Sequence, residues 1–499
     1  MRFSRKGENC NASLKAPLNN PNGMCGGYSN IIFLREVKTT MSNCNKESKV
    51  RKNSCFSLFS ITLFLCCPLL FIIGCSKKAS EASANVLLIT IDTLRADHLG
   101  CYDYFRKTSP NIDHFASTGV LFEHAYCQMP TTGPSHASIF SSNYPRRLGL
   151  LKNGWVLSSQ YPTLAENLKK NGYVTSAFVS SFTLDPQFGL ARGFDEYDAK
   201  FSSQGSSGGS DFDWEGQHVE GGFDQRGDVT TLKAINWIQK HRKEKFFLWV
   251  HYFDPHSPYT PPKPYADDFL KETRTPLDQE IANYDGEILF VDVQVGKLLN
   301  YFKDESLDSK TLIIITSDHG EGLGQHNWMR HGRNVYDELT RILLLMRFPD
   351  VIPVNLRLNH IVQGIDIAPT ILDLLKIKKE KSFQGQSLLP IVFDPKKASN
   401  QIAFLERRLY EDLVGQKFGI RKGGLKYIWA PEEGTEELYD LTKDSRELLN
   451  KAQWEPELTK KLNHAIQVWR QEQETGYQRE RQTIDDKIKK KLKSLGYID

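Results

Sequence analysis

The stretch 129–145, MPTTGPSHASIFSSNYP, sets Thr131 and Thr132 just ahead of a Gly-Pro pair and places His136 four residues after Thr132. Proline suits the first turn of a helix, so Thr131 or Thr132 is positioned to cap a helix that begins at Pro134. The start of a helix also offers unsatisfied N–H groups and the positive end of the backbone dipole, a ready site for an anion. Two chemistries fit. Thr132 is a plain cap, worth about 1 kcal/mol, or it is a hydroxyl nucleophile that attacks the centre of a tetrahedral oxyanion. His136 falls one turn later on the same helical face, within reach of a substrate oxygen or of a proton to be donated.

Three apolar runs supply further chemistry at their ends. NVLLIT (85–90) leads to Asp92, KFFLWV (245–250) to Asp254 and His256, and TLIIIT (311–316) to Asp318 and His319. Carboxylate and imidazole together are a metal-ligand set. Among the neighbours, Asp254 reads as a turn former before Pro255 and His251 as a packing residue at a strand end. Glu321 and His326 stand close enough to support Asp318 and His319 from behind. Arg95 either reaches the metal shell or holds a loop. His98, His114, His124 and His360 read as surface or packing residues.

Short, fully apolar runs between polar residues read as buried strands. Helical patterns lie between them at 161–173, 229–241 and 284–302. Strands that alternate with helices predict an α/β fold: a large, mostly parallel central sheet flanked by helices. Ligands in such sheets sit beyond the carboxyl ends of the strands, where all three runs place their acids and histidines. The Gly/Ser-rich acidic segment 201–227 reads as a loop, either a rim over that edge or a surface insertion. From about residue 399 the pattern changes to short strands with Gly- and Glu-rich turns, followed by a highly charged helical tail. This predicts a C-terminal subdomain (399–499) with a small antiparallel sheet and a helix after a catalytic domain at 85–398.

The chain has 64 Lys/Arg and 60 Asp/Glu, but the excess is local. Residues 1–75 hold ten basic and three acidic residues, so the remainder is faintly acidic and gives no electrostatic footprint for nucleic acid. The uncharged run CFSLFSITLFLCCPLLFIIGC (55–75) follows the basic KESKVRK, the order of a signal peptide. Its length also suits an uncleaved membrane anchor. The ending Ile72-Ile73-Gly74-Cys75 resembles a bacterial lipobox, which would make Cys75 a lipid attachment point at the cell envelope, facing the periplasm or exterior. Residues 1–40 are a doubtful extension before a leader at 41–75, and 76–84 form a polar tether. Past Cys75 only Cys101 and Cys127 remain, either as a disulfide or as two free thiols.

Taken together, the blocks NVLLITIDTLRADHLGCY, TTGPSHASIFSSNYP, LWVHYFDPHSPYTPP, SDHGEGLGQHNWMRHGRNVYDELTR, IDIAPTILDLL, FQGQSLLP and ELYDLTKD resemble sulfatases of the alkaline phosphatase superfamily, in family order across roughly residues 85–499. The resemblance implies Asp92, Asp318 and His319 as metal ligands, with Thr93 in place of a further family acid and His319 where many sulfatases have Asn. It implies Thr132 as nucleophile and metal contact, His256 as a contact to the substrate oxyanion, and His331 where sulfatases carry a substrate-binding lysine. The family's nucleophile is a Cys or Ser converted to formylglycine, which a threonine does not supply. The arginine that follows it is His136 here, and the sulfate-contacting lysine and histidine are Ser180 and Phe182. The set Asp92, Thr132, Asp318 and His319 also resembles the site of the phosphoethanolamine and phosphoglycerol transferases. The resemblance thus implies an exported hydrolase with one divalent metal, acting on a sulfate or phosphate ester of a small molecule, glycan or lipid. An envelope phospho-headgroup transferase and a non-catalytic binding protein are the alternatives. The imidazole of His319 favours zinc or manganese over calcium or magnesium.

Overall fold

The computed structural model describes residues 84–201, 211–214, 217–220, 223–397, 402–407 and 415–474. The extension 1–40, the leader 41–75, the tether up to residue 83 and the charged tail beyond 474 lie outside the described residues. No helix among the described residues is long and apolar enough to cross a membrane.

The central sheet contains β1 (Asn85–Ile91), β2 (Val120–Tyr126), β3 (Val174–Phe178), β4 (Glu196–Asp198), β5 (Phe246–Tyr252), β6 (Thr311–Ser317), β7 (Arg341–Ile342), β8 (Leu344–Arg347) and β9 (Leu356–Gln363). Five strands run parallel in the order β6-β1-β5-β3-β4. On the far side of β6, β8 is antiparallel to both β6 and β2, and β9 runs parallel to β2. The three apolar runs are therefore neighbours, with β1 between the other two. Each is apolar on both faces because each face meets a different core. Val86 and Leu88 of β1 join Phe247, Trp249, Leu312 and Ile314 on one side. Leu87, Ile89 and Ile91 join Phe246, Leu248, Val250, Ile313 and Ile315 on the other. Strands sealed on two faces read as continuous hydrophobic runs.

The expected helices are present with different limits. The longest runs from Pro276 to Asp304, starting earlier than its apolar pattern because Thr275 and Asp278 form a capping box with proline at the first turn. The segment expected as a loop contains an antiparallel hairpin, Asp211–Trp214 with Gln217–Glu220, and the helix Gly227–His241 begins at its end. At the C-terminus β10 (Ile402–Glu406), β11 (Phe418–Lys422), β12 (Leu425–Ala430) and β13 (Thr435–Asp440) form an antiparallel sheet in sequence order. The helix Pro456–Glu474 packs on it, and Trp469 stacks on Phe404 and meets Tyr144 edge-on. Cys101 and Cys127 are free thiols, and burial pushes both above the ordinary thiol range.

Candidate metal centre and active site

Parallel register brings the ligands to one height. Ile91 at the end of β1 pairs with Tyr252 of β5 and with Ser317 of β6. The next residues on β1 and β6 are Asp92 and Asp318, both fully buried. Between them the backbone turns sharply. Thr93 has φ of 53°, a left-handed conformation that β-branched residues rarely adopt. The turn aims the Thr93 N–H at Oδ1 of Asp318 (3.1 Å), which also accepts the N–H of His319 (2.7 Å). Oδ1 is thus occupied, while Oδ2 of Asp318 and both carboxylate oxygens of Asp92 have no hydrogen-bond partner among the described residues.

His319 points its coordinating nitrogen at these orphans. Its Nδ1–H donates to the carbonyl of Gly320 at 2.9 Å, which leaves the lone pair on Nε2. Nε2 lies 3.5 Å from Oδ2 of Asp318, 3.8 Å from Oδ1 of Asp92 and 3.5 Å from Oγ1 of Thr132. One donor atom each from Asp92, Asp318 and His319 falls within 4.8 Å of the others. Buried carboxylate oxygens without donors are costly unless a cation compensates them. Burial, opposed by the charge of His319 and reinforced by that of Glu321, pushes the Asp92 carboxyl up to about 7. Burial also raises Asp318, reinforced by Asp92. Burial pulls His319 down, but Asp318 and Asp92 together outweigh it and raise its pKa. Two acids and a bare imidazole nitrogen, all short of partners, fit a divalent ion.

Thr132 reaches this cluster from the helix Thr132–Ser141. The helix starts two residues before Pro134, and Thr131 is the extended residue ahead of it, its hydroxyl making no capping bond. Thr132 is therefore a first-turn residue rather than a cap. The Gly133 N–H donates to Asn153 Oδ1 at 2.7 Å, and a side chain at 133 would collide with that oxygen. Ser135 Oγ donates to the carbonyl of Asp318 at 2.7 Å, which ties the helix to the end of β6.

His136 departs from its expected place at the substrate. Thr90 Oγ1 accepts the Trp249 Nε1–H at 2.9 Å, so its own proton goes to His136 Nε2 at 3.0 Å. His136 Nδ1–H then donates to the carbonyl of Thr132 at 2.8 Å. Both ring nitrogens are spent on the protein, and burial drops the pKa to about 3. The side chain is a neutral brace behind Thr132.

His256 and His331 line the other side. His256 Nδ1–H donates to the carbonyl of Ser257 at 2.6 Å, and its ring stacks on Phe253 and meets His331 edge-on. Burial, then the charge of His331, holds His256 well below its ordinary pKa. His331 stands 4.5 Å from His319 between ring centres, with Nδ1 3.2 Å from Glu321 Oε1. Its side chain is 11% exposed while those of His319 and Glu321 are fully buried, so His331 marks the open side of the group. Arg95 proves to be a loop holder: Nη1 donates to the carbonyl of Glu321 and to Gln325. Asp254 accepts the N–H of Gly227 at 2.9 Å and stands outside the ligand group, and His326 pairs with Glu338 under the ring of Tyr336. Ser180 holds His251, which turns a ring nitrogen toward Asp92 at 3.6 Å. Sequence reading treats His251 as packing, because a histidine inside an apolar strand gives no other signal.

Comparison with known proteins agrees with this geometry. The sulfatase family profile matches residues 84–377, and the profile described as N-sulphoglucosamine sulphohydrolase, C-terminal, matches 324–472. The chain is 25% identical to the N-acetylglucosamine-6-O-sulfatase of Bacteroides thetaiotaomicron, covering 78% of this chain and 86% of that enzyme. It is 26% identical to an arylsulfatase of Clostridium perfringens, over 73% of this chain and 89% of the other. The fold is shared with the phosphonate monoester hydrolase of Agrobacterium radiobacter (TM-score 0.66, 21% identity, 78% of this chain and 96% of the other). It is shared equally with a protein solved in complex with its substrate D-glucosamine-2-N,6-O-disulfate (TM-score 0.66, 23% identity, 79% and 98%). With a family match across more than half of the chain, over the same residues that bring Asp92, Thr132, Asp318 and His319 together, this protein belongs to the sulfatase family of ester hydrolases.

Proposed function

We propose that the protein is an envelope hydrolase that cleaves a phosphate ester through Thr132 with one divalent metal held by Asp92, Asp318, His319 and Thr132. The observation that carries this reading is the placement of the Thr132 hydroxyl at 3.5 Å from the lone-pair nitrogen of His319, beside three unpartnered carboxylate oxygens. A divalent ion bound there lowers the proton affinity of the hydroxyl and offsets charge on the attacked group. Imidazole in the ligand set favours zinc or manganese over calcium or magnesium.

Oγ1 of Thr132 forms the new bond to phosphorus as the bond from phosphorus to the alcohol oxygen breaks. The threonine proton leaves to solvent, and the departing alcohol takes up a proton from solvent in its place. His256 and His331 hold non-bridging oxygens. Water then cleaves the threonine ester in the reverse sense. A threonine ester needs that water, since threonine lacks the second hydroxyl through which formylglycine expels sulfate. This favours phosphate. A sulfate ester is the second reading, favoured by the named substrates of the sulfatase relatives. Export with lipid attachment at Cys75 is supported by the order of basic, apolar and Ile-Gly-Cys segments.

The purified protein, assayed against aryl sulfate, phosphate monoester and phosphodiester with calcium, magnesium, manganese and zinc, tests the reading. Thr132→Ala is expected to abolish turnover with the fold intact, and Thr132→Ser to retain part of it. Full activity of Thr132→Ala rules out the nucleophile.

A further inference from the structure

One histidine faces the ligand group and takes no part in the steps above. His251 stands near the end of β5 as the register partner of Thr90, fully buried. Its Nδ1 accepts the backbone N–H of Ser180 at 3.2 Å. The Ser180 hydroxyl donates to the His251 carbonyl at 2.6 Å and meets Thr230 Oγ1 at 2.7 Å, fixing the clamp. A ring nitrogen that accepts carries no proton, so in a neutral imidazole the proton sits on the other nitrogen. His251 Nε2–H is therefore a donor. It has no hydrogen-bond partner among the described residues, and it faces Oδ2 of Asp92, which has none either, at 3.6 Å. The ring of His136 stands edge-on against it at 5.0 Å and limits its rotation.

We infer that His251 is a positioning residue for Asp92: its Nε2–H, aimed at Oδ2 from 3.6 Å, attracts that oxygen and thereby leaves Oδ1, the oxygen 3.8 Å from His319 Nε2, to the metal. The inference rests on the metal centre proposed above. The same geometry excludes His251 as a ligand. A ligating Nε2 must be bare, which moves the proton to Nδ1 and sets two N–H groups against each other at Ser180. His319 shows the opposite arrangement, with Nδ1–H on a carbonyl and Nε2 free for an ion. Two histidines beside one acid thus hold opposite tautomers and do different work.

The test uses the full chain stripped of metal and titrated with zinc, with ring-15N-labelled histidine. Imidazole nitrogen–proton spectra are expected to keep the His251 Nε2 proton after zinc is added while His319 Nε2 takes the shift of a ligated nitrogen. By calorimetry, His251→Leu is expected to bind zinc 10- to 100-fold more weakly, of the order seen for lost outer contacts to metal ligands. His251→Gln, which keeps an N–H donor, is expected to stay within about threefold of the parent by the same reasoning. Should the leucine variant fail to fold, the spectra and the glutamine variant still decide. Loss of the His251 Nε2 proton on zinc binding overturns the inference, as does unchanged affinity in His251→Leu. A parent protein that binds none of zinc, manganese, magnesium or calcium removes the metal centre itself, and this role with it.

Discussion

The acid behind His331 is where a single side chain should matter without touching the reacting bond. Glu321 Oε1 lies 3.2 Å from His331 Nδ1, and the Glu321 side chain is fully buried. Glu321→Gln keeps the shape and removes the charge that orients the imidazole and accepts its proton. Turnover is expected to fall about 10- to 100-fold, the range for lost carboxylate support behind a working histidine, with KM little changed and the melting temperature held. A drop confined to KM would place His331 in binding alone. His136 shows how far residue type was legible. Its helical spacing from Thr132 was correct, yet spacing does not say what lies beside the ring. The Thr90 hydroxyl and Trp249, both from neighbouring strands, take up the niche and turn a candidate proton donor into a brace.

At the level of elements, the three central strands β1, β5 and β6 were legible because they are sealed on both faces, which leaves continuous apolar runs with polar ends. The hairpin at 211–220 was not, since its Gly, Ser and acidic surroundings carry a turn signature. The turn after β1 was also hidden: nothing in Asp92-Thr93 announces a φ of 53°. Such a conformation costs a β-branched residue about 1–3 kcal/mol, and the Thr93 hydroxyl has no partner among the described residues. Thr93→Gly is accordingly expected to leave the melting temperature unchanged or higher, whereas a loss above about 2 kcal/mol would show that the backbone is not strained there. The turn before the helix Ile367–Leu374 gives a pH test. Asp366 accepts the N–H groups of Gln363 and Gln386, and burial pushes its carboxyl up to about 7. The native state then keeps this proton up to about pH 7 while the unfolded chain loses it near the ordinary carboxyl value of 3.8. Stability from this group is full below the lower value and is lost as pH rises toward the higher one. Asp366→Asn has no proton to lose, so its deficit against the parent should shrink by about 2 kcal/mol between pH 5 and pH 8, read by denaturant titration. A deficit constant with pH would contradict the shift.

For the molecule as a whole, the C-terminal sheet was legible from its short strands and tight turns, but its grip on the catalytic part was not. Arg146, just past the helix Thr132–Ser141, donates to Glu406 of β10 from its backbone N–H, Nε and Nη2, at 3.1, 3.0 and 2.8 Å, and both residues are buried. Partners so far apart in sequence leave no local pattern to read. Glu406→Ala leaves the buried guanidinium with only the half-exposed Glu474 carboxylate, 3.5 Å from Nη1, and should cost about 3 kcal/mol, measured by chemical denaturation. A loss below about 1 kcal/mol, the worth of a solvent-exposed pair, would mean that water already reaches it. The separation between Arg146 and Glu406, 260 positions, also bears on how the enzyme is made. During synthesis the segment carrying Thr132 and Arg146 leaves the ribosome long before its clasp exists. A nascent chain halted ahead of β10 should remain protease-sensitive around Arg146, and the working centre should come together only when translation is nearly complete.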